Sequence, residues 1–547
     1  MQKELILKLR KYLDKQNLDY LLINTNDEFL LEYNELETCA RYLVTNFKGS
    51  CGEALLSKDA LYLFVDGRYH IQADKEVDKD IVTVIKMQSN DTFSKLIAEK
   101  IPENKSLGIV SKKTSLKFFQ KLKQYLDCKN VEIKPLKEDA VLEYAKVDIK
   151  TSQQTLKLIP LKITGKSFEE KITEVRNFLQ SDEMCLFTKL EDIAYYTNLR
   201  GYTIQNSSVF KGYLIVSHND ATLYTNEKLP QNNINKKSIQ YFFTDLKEKT
   251  KQYKTIFEPS SINLECYNII KDNAKEINLT DGQNPFNRKS IKNSSEIAHY
   301  KEIYKKTDEV VEYINELVNS NKIYTEFELA QIVKEEFKKR GAIDLSFKTI
   351  LAFDTNSALI HYTANSKEKN LSDGAFVLLD CGAYFEGGYA TDITRTFIRG
   401  IPTQEQKRVY TSVLKAFLAG YNYNVTNETT GKDIDKVVRE TIKTSEQEGY
   451  LFSHSTGHGV GICVHEAPPY LTYSQAGENK LHKNMIFSIE PGLYKEGIGG
   501  VRLENIVYIN EENKIESLSK AMFEPKLIDF SMLNEKETEQ LAKWQTK

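Results

Sequence analysis

An aspartate closes a run of apolar residues that has the composition of a buried strand. Asp380 directly follows the segment FVLL at residues 376–379, and such a short, continuous apolar run is typical of a strand in a protein interior. A carboxylate in this place is costly unless it is paired with a positive group or coordinates a metal ion. The chain must therefore fold so that a cationic group meets Asp380.

A second aspartate follows in the same segment. The residue midway between Asp380 and Asp392 is Glu386, and Gly387 and Gly388 come directly after it. Glycine reaches positive φ without steric cost, which predicts a hairpin turn here. If the turn centres on Glu386, the two aspartates face each other across the hairpin. Like charges roughly 5 Å apart destabilise a sheet, so a cation is the simplest reason for this placement.

A histidine in a glycine-rich segment is the third candidate ligand. His458 lies four residues after His454, a spacing that also occurs in helical zinc motifs. Gly457, Gly459 and Gly461 make a helix unfavourable here, because glycine destabilises helix interiors. We therefore predict a loop that leads into a strand.

Two glutamates complete the set. Glu490 ends the apolar segment MIFSIE and is followed by Pro491, which places its carboxylate at a strand end beside a turn. Glu504 lies in VRLENIVYI, where the alternation of a strand puts Arg502 and Glu504 on one face. Oxygen-rich ligation favours hard ions such as Mn²⁺, and the single imidazole keeps Co²⁺, Fe²⁺ or Zn²⁺ compatible.

This donor set is too acidic for a single zinc ion and suits a pair of ions. Two divalent ions about 3.5 to 4 Å apart, bridged by carboxylates, would use all the candidate ligands and hold a hydroxide between them. Such an arrangement hydrolyses amides or phosphate esters.

The order of these motifs resembles that of the pita-bread metallopeptidases, and among them the three-domain type of aminopeptidase P. The motifs are DCGAYFEGGYATDITRT, STGHGVG, SIEPGLY and GGVRLENIV. The resemblance implies that Asp380 binds one metal ion and that Asp392 and Glu504 bridge both. It also implies that His458 and Glu490 bind the second ion.

The resemblance further implies a set of residues on the substrate side. His361 in ALIHYTAN and His465 in CVHEAP match histidines that stabilise the reacting carbonyl, and His454 is a further candidate. Glu490 is the candidate for carrying the proton to the leaving nitrogen. Arg502 matches an arginine beside the bridging glutamate, with a role either in the substrate site or in neutralising Glu504. The remaining histidines are expected at the surface or in packing: His70, His218, His299 and His482.

The implied activity is that of a metallo-aminopeptidase that removes an N-terminal residue when proline follows. Its partners would be peptides with proline at the second position, hydrolysed by a hydroxide that bridges two divalent metal ions. A prolidase, which cleaves only Xaa-Pro dipeptides, is the nearest alternative. A non-catalytic pita-bread protein that binds peptides is another, and creatinase-like enzymes use the fold without metal.

The first half of the chain contains a weak internal repeat. A helix, a strand, an acidic turn and Thr-Asn-x-(Lys/Arg)-Gly occur twice, about 150 residues apart. We therefore expect a fold of the α/β and α+β classes, with two related α/β domains similar to creatinase N-terminal domains at residues 1–150 and 151–287. A pita-bread catalytic domain with a C-terminal extension is expected at residues 288–547.

The charge and the cysteine content of the chain bear on its binding partners and its cellular location. The net charge is −2 and the 28% of charged residues have both signs, so neither nucleic-acid nor membrane binding is expected. The seven cysteines are odd in number and form no C-x-x-C, which is typical of free thiols in a reducing compartment. The N-terminal segment lacks the apolar core of a signal peptide. We expect a cytoplasmic protein that forms a homodimer.

Overall fold

The computed structural model describes residues 2–88, 91–148, 153–273, 284–445 and 449–545. They fall into two compact units, each built from several stretches of the chain. The first unit comprises Met1–Lys157, Phe168–Thr197 and Phe210–Phe286, and the second comprises Leu158–Ser167, Asn198–Val209 and Asn287–Lys547. The domain boundaries at residues 150 and 287 stay a prediction. Among the described residues, no helix has the length and apolar character needed to cross a lipid bilayer.

The first unit begins with a six-stranded mixed sheet. Along the sheet its strands are Thr83–Lys86, Leu61–Val65, Glu53–Ser57, Tyr20–Ile23, Ser106–Val110 and Glu132–Leu136. The strand Glu53–Ser57 is antiparallel to both of its neighbours, and all other pairs in the sheet are parallel. The helices of this part are Gln2–Gln16, Ala40–Thr45, His70–Glu76, Phe93–Glu99, Leu116–Asp127 and Ala140–Ala145. Buried apolar side chains cover both faces of the sheet.

A second sheet in the same unit has the same topology with one strand fewer. Along it lie Asn235–Lys237, Ala221–Tyr224, Tyr213–Ser217, Glu183–Phe187 and Lys254–Ile256. Again the central strands are antiparallel and the outer pairs are parallel. Its helices are Phe168–Phe178, Leu190–Thr197, Phe242–Thr250 and Leu264–Asn273. The internal repeat predicted from the sequence is confirmed, because the order and sense of five strands recur.

Within its described residues, the second unit contains two three-stranded antiparallel sheets, several two-stranded pairs and four long helices. Its strands are Asp344–Leu345, Ile350–Phe353, Phe376–Cys381, Ala383–Tyr384, Ile393–Ile398, Gly457–His458, Tyr470–Leu471, Ile486–Ile489, Gly492–Lys495, Gly499–Arg502, Asn505–Ile509 and Ile515–Ser517. The helices are Leu161–Thr164, Ser294–Val318, Glu326–Lys339, Gln404–Tyr421, Gly431–Ser445 and Glu535–Gln545. Val413 and Phe417 of one helix join Phe487 and Val507 of two strands in its core. This core holds the strand ends that carry the candidate ligands.

Candidate metal centre

The hairpin that carries the two aspartates differs from the prediction in its register. Asp380 is paired with Thr394, not with Asp392. The turn centres one residue later than expected, because Gly387 and Gly388 both adopt positive φ, at 99° and 65°. Asp392 therefore lies just before the strand Ile393–Ile398.

A tyrosine fixes the backbone at this point. The Asp392 N–H donates to the Tyr304 hydroxyl at 3.0 Å, and Tyr304 is fully buried on the helix Ser294–Val318. Although Asp392 lies outside the strand Ile393–Ile398, this contact with the helix Ser294–Val318 holds its backbone in place.

Three candidate ligands come together in space although they are far apart in sequence. One ligand atom each from Asp392, His458 and Glu504 lies within 4.8 Å of the others. His458 Nε2 is 3.6 Å from Asp392 Oδ2 and 3.3 Å from Glu490 Oε1. Glu490 follows the strand Ile486–Ile489, as the sequence predicted. These four side chains therefore form one cluster.

The orientation of the His458 ring suits a metal ligand. Its Nδ1 lies 3.1 Å from the carbonyl oxygen of Gly459. A carbonyl can only accept, so Nδ1 carries the proton and Nε2 keeps its lone pair towards the carboxylates. Ser488 supports the arrangement, since its hydroxyl accepts from the His458 N–H at 2.9 Å and donates to Glu490 Oε1 at 3.1 Å.

Arg502 pairs with Asp380 and so joins the cluster from the other side. Its Nη2 lies 2.6 Å from Asp380 Oδ2, and its Nη1 donates to the Tyr494 hydroxyl at 2.9 Å. Its Nε donates to Thr394 Oγ1 at 3.1 Å, and that hydroxyl donates to Glu504 Oε2 at 2.7 Å. Arg502 and Glu504 therefore meet at the Thr394 hydroxyl. The predicted continuous strand is interrupted between them, because Gly499–Arg502 and Asn505–Ile509 are separate strands, and the direct charge partner of Arg502 is Asp380.

The four carboxylates of the cluster carry more negative charge than the single positive charge of Arg502 can neutralise. Burial raises the pKa of Asp380, Asp392 and Glu504, and it raises the pKa of Glu490 to about 7. Neighbouring carboxylates raise the pKa of Asp392 and Glu504 further, while the Arg502 guanidinium opposes the rise. A cation among these groups would favour their ionised forms.

Two carboxylate oxygen atoms of the cluster also indicate a bound cation. Among the described residues, Asp380 Oδ1 and Glu504 Oε1 are buried and have no hydrogen-bond partner. Buried polar atoms rarely lack a hydrogen-bond partner, and a bound ion is one of the recognised explanations when they do. The donor set, the buried charge and these two atoms fit divalent metal.

The candidate substrate-side histidines lie in three different loops. The His465 ring is 4.4 Å from the His458 ring between centroids, because the intervening loop turns back on itself. His454 Nε2 is 2.8 Å from the Tyr494 hydroxyl, and its Nδ1 is 3.9 Å from Glu490 Oε2. His361 follows the short helix Asp354–Ala358, a segment whose Ser357 hydroxyl accepts from the Gly500 N–H at 2.7 Å.

Three of the other histidines serve packing, as expected. Their Nε2 atoms lie within hydrogen-bond distance of backbone carbonyls: His70 to Met87, His218 to Leu179 and His299 to Glu386. Three further residues of the cluster were not predicted from the sequence: Tyr494, Tyr304 and Thr394. Thr394 lies two residues after Asp392, so strand alternation could have placed it on the same face; the two tyrosines gave no such signal.

A buried arginine beneath the cluster supports the chain on which Glu504 lies. Arg395 is fully buried and donates to the carbonyl oxygens of Thr394, Glu504, Ala521 and Met522. Its guanidinium also lies 4.6 Å from the Phe523 ring centroid. It thereby ties the strand behind Asp392 to the segment that carries Glu504.

We expect Arg395→Met to lower the unfolding free energy of this unit by about 3 kcal/mol, because several buried carbonyl groups lose their donor. Trp544 is the one tryptophan in the sequence, and its ring is 5.6 Å from that of Phe523, so its fluorescence in urea reports the unfolding. Arg408→Met at an exposed position is the control, with a change expected below about 0.5 kcal/mol. Equal stability of both variants would show that Arg395 is dispensable.

Comparison with known proteins shows which families the domains of this chain resemble. Residues 6–141 and 149–296 each match the Creatinase/Prolidase N-terminal domain, and residues 298–511 match Metallopeptidase family M24. The fold and the carboxylate–histidine cluster define a metallopeptidase. Residues 298–511 therefore form a domain of metallopeptidase family M24, and two creatinase-type N-terminal domains precede it.

Similar proteins match over nearly the whole chain. "Xaa-Pro aminopeptidase 1" of Dictyostelium discoideum is 28% identical over 97% of this chain and 90% of its own length. "Probable Xaa-Pro aminopeptidase P" of Paracoccidioides brasiliensis is 29% identical over 97% of this chain and 92% of its own length. A solved X-prolyl aminopeptidase from Caenorhabditis elegans, described as a cytosolic enzyme with a di-nuclear active site, superposes with a TM-score of 0.91 at 22% identity. The match covers 100% of this chain and 95% of that one.

Proposed function

We propose that this protein is a Xaa-Pro aminopeptidase that removes the N-terminal residue of peptides with proline at the second position. The observation that carries the proposal is the buried cluster of Asp392, His458, Glu490 and Glu504, with Asp380 attached through Arg502. The near full-length match to proteins named Xaa-Pro aminopeptidase supports the choice of substrate.

We assign the metal ligands as the sequence motifs imply. Asp380 is assigned to one ion, Asp392 and Glu504 to both, and His458 and Glu490 to the other. Two bound divalent ions, with Mn²⁺ as first candidate and Co²⁺, Fe²⁺ or Zn²⁺ as alternatives, would supply Lewis acidity and an acidic water for attack on an amide carbonyl.

The other roles belong to the side chains around the cluster. Glu490 is assigned to carrying the proton from the attacking water to the leaving nitrogen. His465 and His361 are assigned to stabilising the oxyanion that forms on the reacting carbonyl. His454 and Arg502 are assigned to the substrate side, where both contact the Tyr494 hydroxyl.

Further proposals concern the whole molecule. The seven cysteines form no disulfide within the described part of the chain, which supports a reducing, cytoplasmic location. We also propose a homodimer, which light scattering of the purified protein tests directly. A monomeric mass under all conditions would refute the dimer and leave the peptidase assignment untouched.

Peptide hydrolysis by the Mn²⁺-loaded protein tests the function. We expect release of phenylalanine from Phe-Pro-Ala, with little release from Phe-Ala-Ala and loss of activity after chelation. Mass spectrometry identifies the products. Cleavage of Phe-Pro alone would instead assign a prolidase, and failure to cleave any of the peptides would assign a non-catalytic peptide-binding protein.

A further inference from the structure

A buried ion pair lies behind the loop that carries His465. Lys292 Nζ is 3.0 Å from Glu466 Oε1, and the two side chains are only 3% and 1% exposed. Removing two charges from water is costly, so a pair of this kind persists only with good geometry and additional hydrogen bonds. Both conditions are met here, as the contacts of each partner show.

Glu466 closes the loop between the two site histidines. Its Oε2 accepts from the Ile462 N–H at 2.8 Å, and its own N–H donates to the Gly459 carbonyl at 2.8 Å. A side chain at Gly461 would collide with the Glu466 carboxyl group, so the carboxylate fills the interior of the loop. The loop begins directly after His458 and returns at His465, which precedes Glu466.

Lys292 is itself fixed to the strand that leads to Glu490. Its N–H donates to the Asn484 carbonyl at 2.9 Å, and its Nζ also donates to the Lys289 carbonyl. The neighbouring Ile291 pairs with Met485, just before the strand Ile486–Ile489. On the other side of that strand's start, the Val460 N–H donates to the Ile486 carbonyl at 3.1 Å. The ammonium group is therefore held at a fixed place relative to the loop.

We propose that Lys292 and Glu466 are positioning residues that hold His465 against His458. Neither residue is assigned a contact with the reacting atoms. The pair acts through the loop of residues 459–466, whose closure sets the 4.4 Å separation of the two histidine rings. The catalytic consequence rests on the proposed function, whereas the structural consequence does not.

Three variants test the pair in the full-length, Mn²⁺-loaded protein. Lys292→Met leaves a buried carboxylate without its ammonium partner, and Glu466→Gln keeps the side-chain size but removes the charge. We expect each to lower kcat by up to about 10²-fold, the loss that follows displacement of one oxyanion-stabilising group. KM for Phe-Pro-Ala and the metal content should stay near the wild-type values.

The double variant Lys292→Met/Glu466→Gln separates positioning from simple loss of a contact. It buries no net charge, and the glutamine oxygen can still accept from the Ile462 N–H. We expect the fold-loss in kcat of the double variant to be much smaller than the product of the two single fold-losses, which is the sign of direct coupling. Lys301→Met is the matched control, since it breaks the more exposed pair Lys301–Glu516, at 3.2 Å with 49% and 43% exposure, and should leave kcat unchanged.

Crystal structures of Lys292→Met and Glu466→Gln give a readout that needs no activity. We expect the His465 ring to move away from His458 in both, whatever the peptide assay of the wild type gives. Glu466→Gln is the informative variant if Lys292→Met does not fold. The proposal is overturned if the histidine rings keep their separation, if the variants lose only thermal stability at unchanged kcat, or if they lose metal.

Discussion

Replacing Glu504 with alanine will abolish metal binding and peptide cleavage together. Glu504 is 2% exposed, its Oε2 is held by the Thr394 hydroxyl, and its Oε1 has no hydrogen-bond partner among the described residues. As the proposed bridging ligand it serves both ions, so its loss should exceed the roughly 10- to 100-fold fall in affinity or activity that follows removal of an outer hydrogen-bond partner at a metal site. Metal content and kcat/KM are measured on the same preparation.

The fold should tolerate this change. Burial and, after it, the neighbouring carboxylates raise the pKa of Glu504 and Asp392, so removing one of these crowded carboxylates relieves repulsion. We therefore expect the metal-free variant to unfold at a temperature no lower than that of the metal-free wild type. Glu516→Ala, at a half-exposed glutamate, is the control and should keep full activity. Full activity in the Glu504 variant would remove this residue from the site.

His465→Ala should lower kcat by on the order of 10²-fold while both ions stay bound, because an oxyanion-stabilising donor is lost without loss of a ligand. Its ring lies 4.4 Å from that of His458, close enough to serve the same cleft. His482→Ala, at an exposed position, is the matched control. Loss of metal in the His465 variant would make His465 a ligand, and an unchanged kcat would exclude a catalytic role.

The sequence predicted the identity of the cluster better than its geometry. Asp380 and Glu490 were predicted where apolar runs end, and they lie at the ends of strands. Asp392 was predicted inside the opposing strand and lies just before it. The hairpin register was wrong by two residues. The choice between Glu386 and Gly387 as the centre of the turn depends on which residues take positive φ, and the glycines allow either.

Contacts across long separations were beyond prediction from pattern alone. Arg502 was expected beside Glu504 from strand alternation, yet its charge partner Asp380 lies 122 residues away. Lys292 and Glu466 are separated by 174 residues, and no periodicity connects them. The sequence predicted that the first unit contains two related domains, because one order of helix, strand and turn occurs twice. The two sheets show this repeat, since their strands follow the same order.

The metal content of the purified protein is the most direct test of the central claim. After loading with Mn²⁺ and removal of the excess, inductively coupled plasma mass spectrometry should give about two ions per chain, because the five proposed ligands with two bridging carboxylates coordinate neither ion adequately alone. A value near zero after careful loading would contradict the account.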